Sequence, residues 1–305
     1  MRALRPFHRT AAISCLLLGL LMPVAAAKVA YKPRPLGVES CEALPGPAPD
    51  APPRPRDTIG LDFTNDMLAV SDTATVSVCA LVDSLGIVRQ ARVELGGTPY
   101  DSAAVDAVHW WQFTPARLKG RAVQARVSIA VLVRPPVDAD PLVPDVQALA
   151  LAAESEGRTQ DALDAWTGTL ARAGRHPALG NEWVIRERIL RLAARMGTPP
   201  ALSVDVRGRA IGAHNRMLRD ISRATNADLA KTLDGVLLEA PWYVSAYRWR
   251  ASARAASGQR AGAIRDVLCY QIAAPDSAGR AVAERALVAL ATGDTLAALT
   301  LLKHE

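Results

Sequence analysis

Alternating apolar and polar residues mark two neighbouring stretches in the first half of the chain. Residues 74–82 carry an apolar side chain at every second position from Val76 to Val82, which predicts a β-strand. The turn sequence Asp83-Ser84-Leu85-Gly86 follows, so a second strand is expected to return beside the first as a hairpin. The apolar face of this second strand is expected to carry Ile87, Ala91, Val93 and Leu95.

A helix and a third strand are expected after the hairpin. Thr98-Pro99-Tyr100-Asp101 combines an N-cap residue, a proline at the first helical position and an acid, which predicts a helix over about 99–111. Pro115 ends it. Residues 123–133 alternate without a break up to Pro135, which predicts a third strand and the order β-β-α-β. The apolar stripe of the helix is expected to be Ala104, Val105, Val108 and Trp111.

The N-terminus has the pattern of a secretory signal peptide. Three arginines precede an uncharged run over 11–27 that contains Pro23 and ends in three alanines. A membrane anchor would need about 20 apolar residues, and Pro23 interrupts this run. We therefore expect cleavage after Ala27 and an exported, periplasmic protein. The alternative is an uncleaved anchor in the inner membrane that faces the periplasm.

A proline-rich leader and three cysteines follow the signal peptide. Residues 28–59 contain eight prolines, which favours an extended leader that contributes no core element. The mature chain keeps Cys41, Cys79 and Cys269, and export permits disulfides. We expect a Cys41–Cys79 bridge that fixes the leader to the sheet. The alternative is that Cys79 and Cys269 are simply buried thiols.

Composition and charge exclude some classes of function. The formal net charge of +6 falls to +3 once residues 1–27, with three arginines and no acid, are removed. Only 5% of the residues are aromatic. Neither value favours a nucleic-acid partner.

Three segments of the C-terminal half share one spacing around a glycine. Counted from Gly157, Gly258 and Gly293, a small residue lies seven positions before, and an alanine and an aliphatic or similar apolar residue lie five and six positions after. This pattern resembles tetratricopeptide repeats, which pair two antiparallel helices in each unit and imply a concave peptide-binding surface. Residues 197–240 fit poorly, with a weak helical period over 205–215. An irregular helical bundle is the alternative.

The first half also resembles a known family. The turn residues Asp83 and Gly86, the helix-core residues Val105 and Ala107, and the helix end Trp111, Phe113 and Pro115 are similar to the C-terminal domain of TonB. The resemblance covers about 60 of the 305 residues. In that family the last strand is an open sheet edge that takes the short N-terminal box of outer-membrane receptors as an added strand. The docking edge implied here consists of Arg126, Val127, Ser128, Ile129, Ala130, Val131, Leu132 and Val133.

Departures from the family put energy coupling in doubt. TonB-like transducers carry a serine and a histidine one turn apart in a permanent anchor, whereas Ser14 has Leu18 four residues on. The leader is short for this family, and the chain continues for about 170 residues after the last strand. The alternative for the edge is that the leader or the helical region covers it.

The aromatic cluster near the end of the predicted helix has a structural explanation. We expect Trp110, Trp111 and Phe113 to be part of the hydrophobic core.

Catalytic motifs are missing from the sequence. His109, His176, His214 and His304 are scattered, and His214 with Asp205 and Asp220 forms no ordered acid–base set. Glu182, Arg186 and Glu187 fit ordinary pairs on a helix surface. We expect four arginines to lie on a solvated helix face: Arg248, Arg250, Arg254 and Arg260. The alternative is that they line a surface that binds an acidic partner.

These observations predict a non-enzymatic α+β protein without cofactor or metal. Residues 60–136 are expected to form a small β-β-α-β domain like that of TonB, and residues 142–305 an all-α domain like tetratricopeptide repeats. We expect strand addition of peptides such as outer-membrane receptor segments, and a homodimer through the exposed strand is also open. The alternative function is a periplasmic interaction scaffold without a role in energy transduction.

Overall fold

The computed structural model describes most of the chain from residue 41 onward. The described residues are 41–61, 63, 67, 73–135, 142–173, 181–219, 223–274 and 276–303. All of them belong to one compact unit. The expected signal peptide and the first part of the leader lie outside the described residues, as do His176, Asp220 and His304. Within the described part, no helix is long and apolar enough to cross a membrane.

Seven short or medium strands and one helix fill the first half of the described chain. The helix, α1, spans Asp101–His109. The strands are β1 (Arg54–Asp57), β2 (Ala74–Val82), β3 (Val88–Leu95), β4 (Gln112–Thr114), β5 (Ala116–Leu118), β6 (Arg121–Val123) and β7 (Ala125–Val133). The predicted order of two strands, a helix and a strand is confirmed, with short strands added around it.

Strand β2 is the middle of a three-stranded antiparallel sheet in the order β3-β2-β7. Its register with β7 is regular, with Val78 opposite Ile129 and Val82 opposite Ala125. Helix α1 covers one face of this sheet, where Val76, Val78 and Val82 are fully buried. The period-2 pattern of the sequence thus corresponds to one face packed on a helix and one face left open.

Two features of the β region differ from expectation. The leader, expected to be extended and to contribute no core element, contains a strand that was not expected: Arg54–Asp57 is mostly exposed and pairs antiparallel with β4. The proline within it is tolerated because β1 is an edge strand. Leu95, expected on the buried face, is 64% exposed at the end of β3.

Helix α1 also begins later than expected, at Asp101. The Asp101 carboxylate accepts the backbone N–H groups of Gly97 (2.7 Å) and Thr98 (3.2 Å) and the Thr98 hydroxyl. The predicted capping residues therefore form a turn ahead of the helix, and the acid still satisfies free backbone donors.

Nine helices make up the second half of the described chain. They are α2 (Leu142–Ser155), α3 (Thr159–Ala173), α4 (Glu182–Arg195), α5 (Val204–Arg219), α6 (Arg223–Glu239), α7 (Val244–Ala256), α8 (Arg260–Ala273), α9 (Ser277–Thr292) and α10 (Thr295–Lys303). The weak periodicity over 205–215 is misleading, because this stretch lies inside α5. The coarse α+β class is confirmed.

The three marked glycines each end a helix that is followed by an antiparallel partner. Gly157, Gly258 and Gly293 have positive φ angles of 72°, 85° and 90°, a conformation that glycine adopts without strain. They lie between α2 and α3, α7 and α8, and α9 and α10. The spacing that the three segments share places small residues at the helix contacts, since Ala150, Ala251 and Ala286 are fully buried.

The helices do not simply stack in chain order. Helix α10 packs against α7 as well as against α9, and α4 packs against α8. Helices α7 to α10 therefore close on themselves as a bundle. This geometry favours the compact bundle over an open array with a long concave face.

Candidate functional site

Strand β7 forms one edge of the three-stranded sheet. It pairs with β2 along all nine of its residues. On its other side, no described segment pairs with it. Neither the helices nor the described part of the leader, residues 41–59, covers this edge with backbone hydrogen bonds.

The hairpin shows which backbone groups of β7 point outward. The Asp83 N–H donates to the Ile87 carbonyl across the turn, at 2.9 Å, so Asp83 directs its polar groups towards β3. Because alternate residues of a strand direct these groups to opposite sides, Val82 and Ala80 face β7. Their partners in register, Ala125 and Val127, direct their backbone N–H and C=O groups towards β2. The outward-directed residues of the edge are therefore Arg126, Ser128, Ala130 and Leu132.

Side chains along β7 alternate between the two faces of the sheet. Ile129, Val131 and Val133 are buried in the same core cluster as residues of α1, and Val127 is half-buried. Ser128, Ala130 and Leu132 are exposed on the opposite face, with Leu132 at 52%. An added strand would thus meet free backbone groups and a mildly apolar open face.

The disulfide predicted from the sequence lies on this open face. Cys41 and Cys79 are bonded, with their Cα atoms 5.4 Å apart. The Cys41 N–H donates to the Glu94 carboxylate at 3.0 Å, and the Ser128 hydroxyl donates to the same carboxylate. The hydrogen bond from Ser128, followed by that from Cys41, lowers the pKa of Glu94. The bridge to Cys79 of β2 and the hydrogen bond to Glu94 of β3 hold residue 41 against this face of the sheet.

The residues that resemble the family turn come together in space. The Asp83 carboxylate accepts the N–H groups of Leu85 (2.8 Å) and Ile87 (2.9 Å), which fixes the turn. Gly86 adopts φ +83°, and its carbonyl accepts the N–H of Phe113 at 2.8 Å. A side-chain carbon at Gly86 would lie 1.9 Å from the Phe113 carbonyl oxygen. The turn and the end of the helix segment are therefore in backbone contact.

The other residues of that resemblance serve packing. Ala107 is fully buried, and Val105 packs partly buried on the sheet core. Trp111 is half-buried and donates its indole N–H to the carbonyl of Ile59 at 3.0 Å. Pro115 lies between β4 and β5. None of the four lies on β7.

Trp110 has a role that the sequence did not show. It is 2% exposed and packs against Trp183 of α4, with ring centroids 6.0 Å apart. Its indole N–H donates to Glu187 at 3.1 Å. The expectation that Trp110 is core is correct, but it belongs to the core of the helical region.

Polar contacts join the β region to the helices around this tryptophan. The Gln112 side chain donates to the Ala261 carbonyl at 3.0 Å, and Arg265 pairs with Asp57 of β1 at 2.9 Å. On α1, burial raises the pKa of Asp106, which Arg188 opposes from 3.8 Å. These contacts connect residues that are far apart in sequence, so no local pattern could have shown them.

The arginines expected on a solvated helix face are instead internal. Arg250 is 1% exposed and pairs with Asp266, which is fully buried, and with Asp234. Arg254 contacts the same two acids. Although desolvation alone would lower it, the pKa of Arg250 is raised, because Asp266 stabilises the charged form. For these two residues, both the expected solvated helix face and the alternative surface for an acidic partner are therefore wrong.

The remaining two arginines of that group are also engaged. Arg248 donates to the carbonyls of Leu301 and Leu302, and Arg260 donates to the carbonyl of Ala291. Each arginine thus donates to backbone carbonyl groups in the last turn of a helix, which have no partner within the helix itself.

Arg186, expected on a helix surface, is also buried, at 1% exposure. It donates to the Leu237 carbonyl at 3.0 Å and to the Tyr247 hydroxyl at 3.3 Å, while Glu182 contacts it at 3.3 Å. Because an arginine on α4 and its partners on α6 and α7 cannot be paired from sequence, this network was missed.

The described histidines do not form a catalytic set. His214 stacks on Trp249, with ring centroids 4.4 Å apart, and His109 lies edge-on to Trp110. Among the residues that the structure describes, no three His, Cys, Asp or Glu side chains are grouped as they would be to hold a metal ion.

Comparisons with known proteins add no name to this geometry. No family model, no curated protein and no solved structure matches the chain.

Proposed function

We propose that this protein binds extended peptides by adding them as a strand to the outer edge of β7. The observation that carries the proposal is that β7 is paired on one side only among the described residues. Four residues of the edge direct backbone N–H and C=O groups outward. A peptide strand would satisfy these groups in the way that neighbouring strands do.

The resemblance to TonB supports outer-membrane receptor segments as the peptides. Its turn and helix-end residues meet in one place, at Asp83, Gly86 and Phe113. The proposal covers peptide docking without energy coupling, since Ser14 and Leu18 lack the pair that such coupling uses in the family.

Export to the periplasm is part of the same proposal. The disulfide between Cys41 and Cys79 supports it, since such bonds persist in oxidising compartments. The N-terminal pattern of residues 1–27 supports it independently.

Ser128→Pro tests the docking edge. Proline removes the outward N–H of residue 128 and is tolerated on an edge strand. Ser128→Ala is the matched control, because both variants lose the hydroxyl that donates to Glu94 while only proline loses the N–H. We expect Ser128→Pro to weaken binding about tenfold relative to Ser128→Ala, the effect of one or two lost hydrogen bonds.

Binding would be measured by fluorescence anisotropy with a panel of synthetic peptides from the N-terminal periplasmic segments of the host's outer-membrane receptors. Light scattering of the free protein would show whether a second copy already occupies the edge. Equal affinities of the two variants for a bound peptide would contradict docking at β7.

The second candidate is a periplasmic scaffold in which the helical region binds the partner. The three helical hairpins, each with a left-handed glycine at its turn, favour it. In that case a partner protein recovered from periplasmic extract would bind Ser128→Pro and Ser128→Ala equally.

A further inference from the structure

A cleft of about 860 Å³ opens within the helical region. We call it the helical cleft. It is bounded by the C-terminal ends of α4 and α8 and by the first turns of α7 and α9. None of the residues that line it belongs to the β region. Its volume is within the range of about 300–1,000 Å³ that is usual for small-molecule sites.

The walls of the helical cleft are mostly apolar. Leu190 of α4, Trp242, Val244 of α7, Ile272 of α8 and Val282 of α9 line it. Alanines occupy much of the remaining surface, which keeps the space open. Such a surface favours a ligand with an apolar body.

Two polar side chains in the helical cleft are almost completely buried. Tyr270 is 6% exposed, yet its hydroxyl makes no hydrogen bond to the described residues. This hydroxyl lies against the first turn of α9, 2.9 Å from where a side-chain carbon at Gly279 would be. The hydroxyl is not among the enclosed polar atoms of the described residues, so it reaches the open space of the cleft as an unused hydrogen-bonding group.

Arg248 lies beside this tyrosine. Its guanidinium carbon is 5.8 Å from the centre of the Tyr270 ring, and the residue is 8% exposed. Nε and Nη2 donate to the carbonyls of Leu302 and Leu301, each at 3.2 Å. Nη1 has no acceptor among the residues described here. The cleft therefore holds a positive charge with one donor unused.

The helix termini add to the positive potential. Helix α7 begins without a side-chain cap, and its first residues, Val244 and Ser245, line the helical cleft. Uncapped N–H groups at a helix start attract an anion. Arg280 and Asp276 at the start of α9 offset each other, so Arg248 determines the net charge of the lining.

We propose that the helical cleft binds an organic carboxylate with an apolar body. The carboxylate accepts from the Tyr270 hydroxyl and from Nη1 of Arg248, near the first turn of α7. The apolar body lies against Leu190, Trp242 and Ile272. This site is separate from β7, so it does not depend on peptide docking there.

Octanoate is the probe, titrated calorimetrically into the oxidised full chain. Octanol, which has the same apolar body without the charge, and acetate, which has the charge alone, are the matched ligands. We expect octanoate to bind at least tenfold more tightly than either. Equal affinities for octanoate and octanol, or no heat of octanoate binding at millimolar ligand, would overturn the proposal.

Two variants place the binding in the helical cleft. Tyr270→Phe removes only the unpartnered hydroxyl and should weaken octanoate binding about tenfold, as expected for one hydrogen bond to a charged group. Ala194→Trp fills the cleft from its exposed rim and should abolish binding. Ala227→Trp, at an exposed position of α6 outside the cleft, is the control for the added bulk.

Circular dichroism would establish that all three variants fold. Unchanged affinity of a folded Tyr270→Phe or Ala194→Trp variant would overturn the assignment of the site. Weakening by Ala227→Trp equal to that by Ala194→Trp would overturn it as well.

Discussion

Gly86 is a residue at which the surrounding backbone leaves no room for a side chain. Its φ of +83° is strained for any side chain, and a side-chain carbon would lie 1.9 Å from the Phe113 carbonyl oxygen. Because that neighbour is backbone, relief requires the hairpin turn and β4 to move apart. We predict that Gly86→Ala lowers the free energy of unfolding by about 2–4 kcal/mol, measured by urea denaturation.

Gly120 is the matched control for this prediction. It has a similar φ of +78°, but no atom lies within 4 Å of where its side chain would be. Gly120→Ala should therefore lower the free energy of unfolding by only about 1 kcal/mol, the cost of a positive φ angle for alanine. Equal losses in the two variants would show that the contact with Phe113 has no energetic weight.

The buried arginines show what residue-level patterns cannot reveal. Arg250 looks like a surface residue in sequence, yet it pairs with Asp266, 16 positions away and fully buried. Burial of one partner without the other would be costly, so the pair is understandable only from the packing of α7 on α8. The network also balances its charges, with four arginines at 186, 250, 254 and 265 and four acids at 57, 182, 234 and 266.

At the scale of elements, the disulfide ties the leader to the central strand of the sheet. Cys41 and Cys79 are separated by 38 positions. Closing a loop of this length should stabilise the fold by about 4 kcal/mol through the entropy of the unfolded chain. We predict that Cys41→Ser lowers the free energy of unfolding by about that amount in urea denaturation.

Reductant provides the internal control for the disulfide. Dithiothreitol should destabilise the natural chain to the level of Cys41→Ser and leave the variant unchanged, because Cys269 is a buried free thiol. A further loss in the reduced variant would contradict this account.

Several elements were predictable because their signals are local. The period of two in β2 and β7, the turn at Asp83–Gly86 and the glycine spacing of the helical hairpins each depend on neighbouring residues. Strand β1 was missed because its proline suggested a leader, and α5 was missed because Gly208 and Gly212 weaken its pattern. That β7 would be an open edge strand was implied only by the resemblance to TonB, whereas the helical cleft required four helices to be placed together.

At the scale of the whole molecule, the β region and the helices share one interface. Trp110 packs on Trp183, and Arg265 pairs with Asp57. We expect the natural chain to unfold in one calorimetric transition. Trp110→Ala should lower the free energy of unfolding by about 3–5 kcal/mol and separate the transition into two, since it removes the largest β-region side chain buried among the helices.

Trp111→Ala is the control for the loss of a tryptophan. Trp111 is half-buried and packs within the β region, so its replacement should lower stability while one transition remains. A single transition in Trp110→Ala would mean that the remaining contacts, the polar pairs together with buried Ile87, are enough to couple the two regions.

The position of the Cys41–Cys79 bridge has a mechanical consequence. Any tension applied to the chain ahead of residue 41 enters the fold through the disulfide and reaches β2, the strand held by neighbours on both sides. The 38-residue loop, which includes β1, is bypassed by the bridge and carries none of that load. A pull from the N-terminus would therefore be resisted by the ladders of β3 and β7 together, and a peptide added to β7 would share in bearing it.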